Sequence, residues 1–429
     1  MDVGMQNIIL APGSRHLFWT GGVYYLWELS KRYNIIMLVD KEFADDLDFI
    51  RMIELASVLK VFYIPKVDIL NRHRFYSTKV KWIVSEYNPV LIFHHDPVYV
   101  SMMYLYYWGK KNASRCICIS YLTGMSSIDW EREVESIVTF NVNLIVNKYN
   151  LPYSWASFWF TVRSRLSLIL NYYLLPLIFI GKFFSPPLNP ADFTTLKQYW
   201  NDQFDYYLLY SDSDREITGK VFGSDNGIQQ IKHPIQSVGN ELNSILYNFE
   251  ESDIILILPS YGHVDVYQKK HKIPNEEIVA LISSNWNEVI NVLKSIFPNY
   301  QICWKLHPAQ ADDFLWHNIQ DKVKQNHPDL SLLRPNENAQ KWILKSKIIV
   351  GEVSSVLWWA SFFPNKIPIS LDIFGIPFMD GLKNYEGIYY FNNIDDLYNT
   401  DFAKQHHKDK MADNSHPTLT EFLDLLSVP

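Results

Sequence analysis

Gln301-Ile302-Cys303-Trp304-Lys305-Leu306-His307-Pro308 is the stretch that decides how this chain folds. Its first five residues are short, apolar and β-rich, which reads as a buried strand. Leu306-His307-Pro308 then stands where that strand ends, and Pro308 stiffens the turn while removing a competing backbone donor. In open α/β sheets ligands bind at the carboxyl ends of the strands. At that place Lys305 offers a point charge and His307 a ring N–H, both suited to a phosphate oxygen. A His-Pro pair alone says little, because His233-Pro234 and His327-Pro328 repeat it.

Working outward, Ile348-Ile349-Val350-Gly351-Glu352 reads as another strand entering a turn, and Val353-Ser354-Ser355 opens a helix through Val356-Leu357-Trp358-Trp359-Ala360. Serines at such a place are ordinary N-caps. The same helix end exposes free N–H groups and the positive end of the dipole, which bind phosphate. Short β-rich runs at 206–210, 254–258, 330–333 and 367–370, with a helical stretch at 275–296, complete a strand–helix rhythm. The first half has the same rhythm, with predicted strands at 7–10, 35–39, 58–64, 90–93 and 116–120 and a helix opening at Gly21-Gly22. Alternation of this kind implies parallel sheets with right-handed crossovers. The expectation is α/β: two Rossmann-like, doubly wound domains facing across a cleft. The first spans 1–200, the second 201–395, and 396–429 forms a tail with a helix.

At 429 residues the chain is too long for one ordinary core. Hydrophobic residues at 48% and charged residues at 20% exclude a disordered chain. A net charge of -7 argues against a nucleic-acid binder. Three cysteines, Cys116, Cys118 and Cys303, make no disulfide framework and no Cys-x-x-Cys zinc pair. The first ten residues lack a signal-peptide pattern, so a cytoplasmic location is expected. The residues 166–184, LSLILNYYLLPLIFIGKFF, approach a membrane span in length, but Asn171, Pro176 and Lys182 interrupt it. An interdomain helical hairpin, an in-plane membrane contact and a true span are the alternatives.

The first half offers candidates for proton transfer. Asp96, in Phe93-His94-His95-Asp96-Pro97, follows a strand, as does His16 in Gly13-Ser14-Arg15-His16; His95 ranks third. Adjacent histidines on a strand point to opposite sides, so His94 and His95 do not share a metal ion readily. Asp45-Asp46-Leu47-Asp48 reads as a solvated helix start.

The order of pieces in the second half resembles the C-terminal domain of bacterial sialyltransferases and polysialyltransferases and related capsule and lipopolysaccharide transferases, over about residues 205–375. The carriers are Lys305-Leu306-His307-Pro308, Arg334-Pro335-Asn336-Glu337-Asn338-Ala339 and Gly351-Glu352-Val353-Ser354-Ser355. The resemblance implies the GT-B fold and an inverting, metal-independent glycosyltransferase without a separate cofactor. It would move an acidic keto-sugar, sialic-acid-like or Kdo-like, from a CMP-sugar donor to a bacterial surface glycan. It implies that His307, Ser354 and Ser355 contact the CMP phosphate, that Lys305 and Pro308 complete that loop, and that Glu337 reads the ribose or base. The acceptor would be a glycan or lipid-linked glycan, which gives 166–184 a reason to sit on the inner face of the inner membrane. Those transferases carry an acidic-acidic-Gly motif holding the general base, whereas Tyr121-Leu122-Thr123-Gly124 here has no carboxylate. The base is therefore sought in Asp96 or His16. Rival readings are a CDP-glycerol or CDP-ribitol transferase, a UDP-sugar 2-epimerase of GT-B layout, and a binding module without catalysis.

Overall fold

The computed structural model describes residues 5–12, 15–65, 74–95, 100–119, 151–160, 204–210, 227–247, 251–259, 271–307, 310–335, 339–352, 355–363, 365–373, 387–402 and 416–426, with isolated positions between them. The chain divides into two compact units. The first comprises Met1–Leu122, Asp129–Leu242 and Ser415–Pro429, and the second Thr123–Ile128 and Asn243–Asn414.

The first unit holds a seven-stranded sheet: β1 (Asn7–Ala11), β2 (Asn34–Asp40), β3 (Lys60–Ile64), β4 (Leu91–His95), β5 (Arg115–Ile119), β6 (Tyr206–Leu209) and β7 (Ile228–Gln230). Their order is β3-β2-β1-β4-β5-β6-β7, every pairing parallel. The central strands are apolar on both faces because helices cover both sides, as parallel sheets require. Ile8, Ile9 and Leu10 of β1 and Leu91, Ile92 and Phe93 of β4 are all sealed from solvent.

The second unit repeats the plan with β8 (Ser252–Leu258), β9 (Gln301–Lys305), β10 (Ser331–Leu333), β11 (Ser346–Gly351), β12 (Ile367–Leu371) and β13 (Tyr389–Phe391) in the order β10-β9-β8-β11-β12-β13. All of these pairs are parallel. Counted from β8, that is the order of the first six strands of the other sheet. The 22-residue helix Asn275–Ile296 packs Ile278, Ile282, Trp286, Val289 and Leu293 into this core. Its Trp286 ring meets Trp304 of β9 edge-on at 5.2 Å, an arrangement aromatic pairs favour.

Three expectations change. The run at 206–210, read as the start of the second half, pairs with β5 in the first sheet, so the first unit runs past residue 200. Asp205 explains the choice: its carboxylate accepts from Cys116 N at 2.7 Å, pinning β6 to β5. The C-terminal helix Leu419–Leu425 belongs to the first unit rather than to a separate tail. Arg32 pairs with Asp424 at 2.6 Å, and Thr420 Oγ1 donates to Glu28 at 2.9 Å. The stretch Asp45-Asp46-Leu47-Asp48 does start a helix, Leu47–Leu55, with Asp45 and Asp48 exposed, but Asp46 is its buried N-cap, accepting from Phe49 N and paired with Arg15 at 2.7 Å. Residues 166–184 lie outside the described residues, among which no helix is long and apolar enough to cross a membrane.

The second sheet tolerates only glycine at one point. A Cβ at Gly351 would stand 2.8 Å from the Leu258 carbonyl oxygen, so the ends of β8 and β11 approach through bare backbone. Gly351→Ala is expected to destabilise the chain by about 1–3 kcal/mol, measured as a lower urea midpoint, whereas Gly387→Ala acts only through its positive φ.

Candidate functional site

In each sheet the strand order reverses once, between β1 and β4 and between β8 and β11. At such a switch point adjacent loops leave in opposite directions and open a crevice at the carboxyl ends of the strands. The sequence places its chemistry at both.

In the second unit His307 follows β9 and Ser355 opens the helix Ser355–Ser361 after β11. Since β8 alone lies between β9 and β11, two strand spacings, about 10 Å, separate the two strand ends. Both loops thus stand at one edge of one sheet. His307 is exposed, and its loop is closed by Gln310: His307 N donates to the side-chain Oε1 of Gln310 at 2.6 Å, and Gln310 N returns to His307 O at 2.8 Å. Gln310, wholly buried, is a supporting residue that sequence reading missed. Ser354 and Pro308 lie outside the described residues, and for Ser355 only the backbone is described.

Lys305 takes a different part from the phosphate ligand expected of it. It is 1% exposed, and its Nζ donates to Pro335 O at 2.7 Å and Leu306 O at 3.2 Å. Burial pushes its pKa down to about 8, against the pull of Glu337. Two of its three N–H bonds are spent on main-chain carbonyls, so the ammonium staples the end of β9 to the loop that carries Glu337. Glu337 is held in turn by Trp342 Nε1 at 2.8 Å and Arg334 N at 3.2 Å. These donors keep its carboxyl below the usual carboxylate range, Trp342 first among them. The outcome is a carboxylate fixed in place on the loop that Lys305 ties to the end of β9.

In the first unit His95 ends β4, and Gly21 and Gly22 lie opposite it after β1. The helix expected to open at these glycines begins earlier, at Arg15, and widens to a π turn over Phe18–Gly22 before continuing as Val23–Ser30. Such turns accompany functional sites. A Cβ on Gly21 would stand 3.1 Å from His95 Cε1, 3.9 Å from His95 Nε2 and 3.8 Å from His233 Nε2. Glycine is thus what lets the turn lie against two imidazoles. Ile235 N donates to His233 Nδ1 at 3.1 Å, which puts the proton of the neutral ring on Nε2. Tyr25 and Tyr210 share a 2.8 Å hydroxyl contact, and the Tyr210 and His233 rings lie 4.6 Å apart.

Burial lowers both imidazoles to about 3, with His94 adding to the effect on His95 and His95 to that on His233. A ring of such low basicity accepts a proton poorly at neutral pH. His95, ranked third as a base, is instead a neutral brace for the end of β4, from which Asp96 follows. Asp96 lies outside the described residues. His16 sits in the turn Arg15–Leu17, held by the Arg15–Asp46 pair, and its side chain is not described. The sequence does carry a signal for His233: like His307, it precedes a proline shortly after a strand. Among the described residues no three His, Cys, Asp or Glu side chains gather as metal ligands.

Between about pH 3 and 6.5 the folded chain holds fewer protons on His95 and His233 than the unfolded chain does. Stability therefore falls as pH drops through that window and is insensitive to these groups above it. His95→Leu should lose less stability than the parent between pH 7 and about pH 5, compared as urea midpoints. An identical loss in both proteins would contradict a buried, neutral His95.

No protein-family model matches the chain, and no curated protein sequence is similar to it. Solved structures are. The UDP-GlcNAc 2-epimerase of Methanocaldococcus jannaschii superposes with a TM-score of 0.54 at 10% identity, covering 99% of both chains. The UDP-GlcNAc 2-epimerase of Neisseria meningitidis, solved bound to UDP-GlcNAc, gives 0.55 at 11% identity, again over 99% of both chains. At these identities the likeness is one of fold: two Rossmann-like domains of GT-B layout.

Proposed function

We propose that this chain is an enzyme acting on a nucleotide-activated sugar, with the nucleotide held by the second unit. The observation that carries this reading is the switch point between β8 and β11, where the His307 loop, the Glu337 loop stapled by Lys305 and the start of helix Ser355–Ser361 share one sheet edge. His307 donates to a phosphate oxygen, the hydroxyls of Ser354 and Ser355 to its neighbours, and Glu337 accepts from the ribose. Lys305 positions and does not bind.

For the chemistry we favour rearrangement of a UDP-sugar at a carbon of the ring, as a 2-epimerase performs. Two facts support it: end-to-end likeness in fold to UDP-GlcNAc 2-epimerases, and the lack of a carboxylate in Tyr121-Leu122-Thr123-Gly124, where the sialyltransferases carry their base. Inverting a C–H centre needs a group to take the proton and a group to return it. Asp96, following the strand braced by His95, is our candidate for the first and His16 for the second. No metal or separate cofactor enters this scheme. Transfer from a CMP-sugar to a glycan is the second reading, favoured by the order of Lys305-Leu306-His307-Pro308 and Ser354-Ser355 in the chain.

Proton NMR of the chain incubated with UDP-GlcNAc, and separately with a CMP-sugar, decides between them. An epimer, or a free sugar with UDP, formed without any acceptor supports rearrangement. CMP release that requires an added glycan supports transfer, and turnover of neither substrate sinks both. His307→Ala is expected to weaken UDP binding by about tenfold, the worth of one charge-assisted hydrogen bond, in calorimetric titration with an unchanged urea midpoint. Asp96→Asn is expected to keep UDP binding and lose about 10²–10⁴-fold in turnover.

A further inference from the structure

Residues 153–160 form a helix in the first unit. Its inward side is small: Ala156 is fully buried, and Phe160, one turn on, is half-buried. Its outward side carries Trp155, Phe158 and Trp159, whose i, i+3, i+4 spacing sets them on one face. They are 65%, 63% and 51% exposed, with Tyr153 at 52% and Tyr149 at 56% alongside in sequence. The Trp155 and Phe158 rings lie edge-on, 6.4 Å apart.

A helix on the surface of a globular unit normally turns its polar face to water. This one turns its aromatic face outward. From 149 to 162 there is no charged residue, and the charges that bracket the stretch, Lys148, Arg163 and Arg165, are all basic. Scattered exposed apolar residues are ordinary, but a contiguous aromatic face marks a contact surface. The composition points to the kind of contact. Trp and Tyr combine an apolar body with a polar edge and settle at the headgroup level of a bilayer, while flanking cations face anionic headgroups. A second copy of the chain fits less well, since no acidic residue stands between 136 and 191 to meet those cations.

We propose that helix 153–160 lies on an anionic lipid surface, with Trp155, Phe158 and Trp159 at the boundary between headgroups and acyl chains. Lipid contact through this helix is independent of any nucleotide-sugar activity.

The test is flotation of the full chain with vesicles of phosphatidylcholine, alone or with one third phosphatidylglycerol. The parent should float with the anionic vesicles. The triple variant Trp155→Ser, Phe158→Ser, Trp159→Ser should bind at least about tenfold more weakly; an unchanged urea midpoint shows that it is folded. The double variant Trp155→Phe, Trp159→Phe should float like the parent yet lose part of the tryptophan quenching by brominated lipid. The proposal is overturned if the parent does not float, if the serine variant floats equally, or if quenching is unchanged in the double variant. It is also overturned if the aromatic face instead drives self-association, seen by sedimentation as a dimer that the serine variant abolishes.

Discussion

Parallel pairing sends the carboxyl end of every strand to the same edge of its sheet, and a single reversal of strand order opens one crevice along that edge. In this chain the constraint acts twice with the same order of strands. It decides which of many polar side chains are able to act together. His307 and Ser355 are 48 residues apart in the chain, yet one intervening strand separates their loops. Gly351 makes that geometry possible, because the Leu258 carbonyl occupies the place of any side chain there.

Burial then sorts the polar residues at those edges into two kinds. Lys305, His95 and His233 lie inside, where the charged form is disfavoured, and they serve as braces: one ties a loop to a strand end, the other two pack against a glycine turn. His307 and Glu337 lie nearer the solvent and are held by neighbours rather than enclosed by them. A binding site needs both kinds, since side chains that meet a ligand hold their geometry only when something behind them is fixed. The first unit shows the same division on the β1 side, where Asp46 caps one helix and anchors the turn that carries His16.

The sequence by itself determined the architecture. Runs such as Ile302-Cys303-Trp304 and Ile348-Ile349-Val350 are apolar at every position, which only a strand covered on both faces sustains, and the helices between them impose parallel pairing. It also determined where chemistry is sought, because a His-Pro or a Ser-Ser after such a strand falls at the binding edge wherever the strand lies in its sheet.

Only the tertiary structure decided the rest. No local pattern shows that 206–209 joins the first sheet, since the choice rests on Asp205 reaching Cys116 across 89 residues. None shows that the final helix docks on the first unit through Arg32 and Glu28. The fate of Lys305 was hidden for the same reason: a lysine at a strand end reads as a free cation until the Pro335 carbonyl, 30 residues away, is seen to accept its hydrogen bond. Periodicity reports what a residue's own element needs. Burial and hydrogen-bond partners depend on elements that are distant in the chain, and these decide whether a charge is presented to a ligand or used to hold the fold.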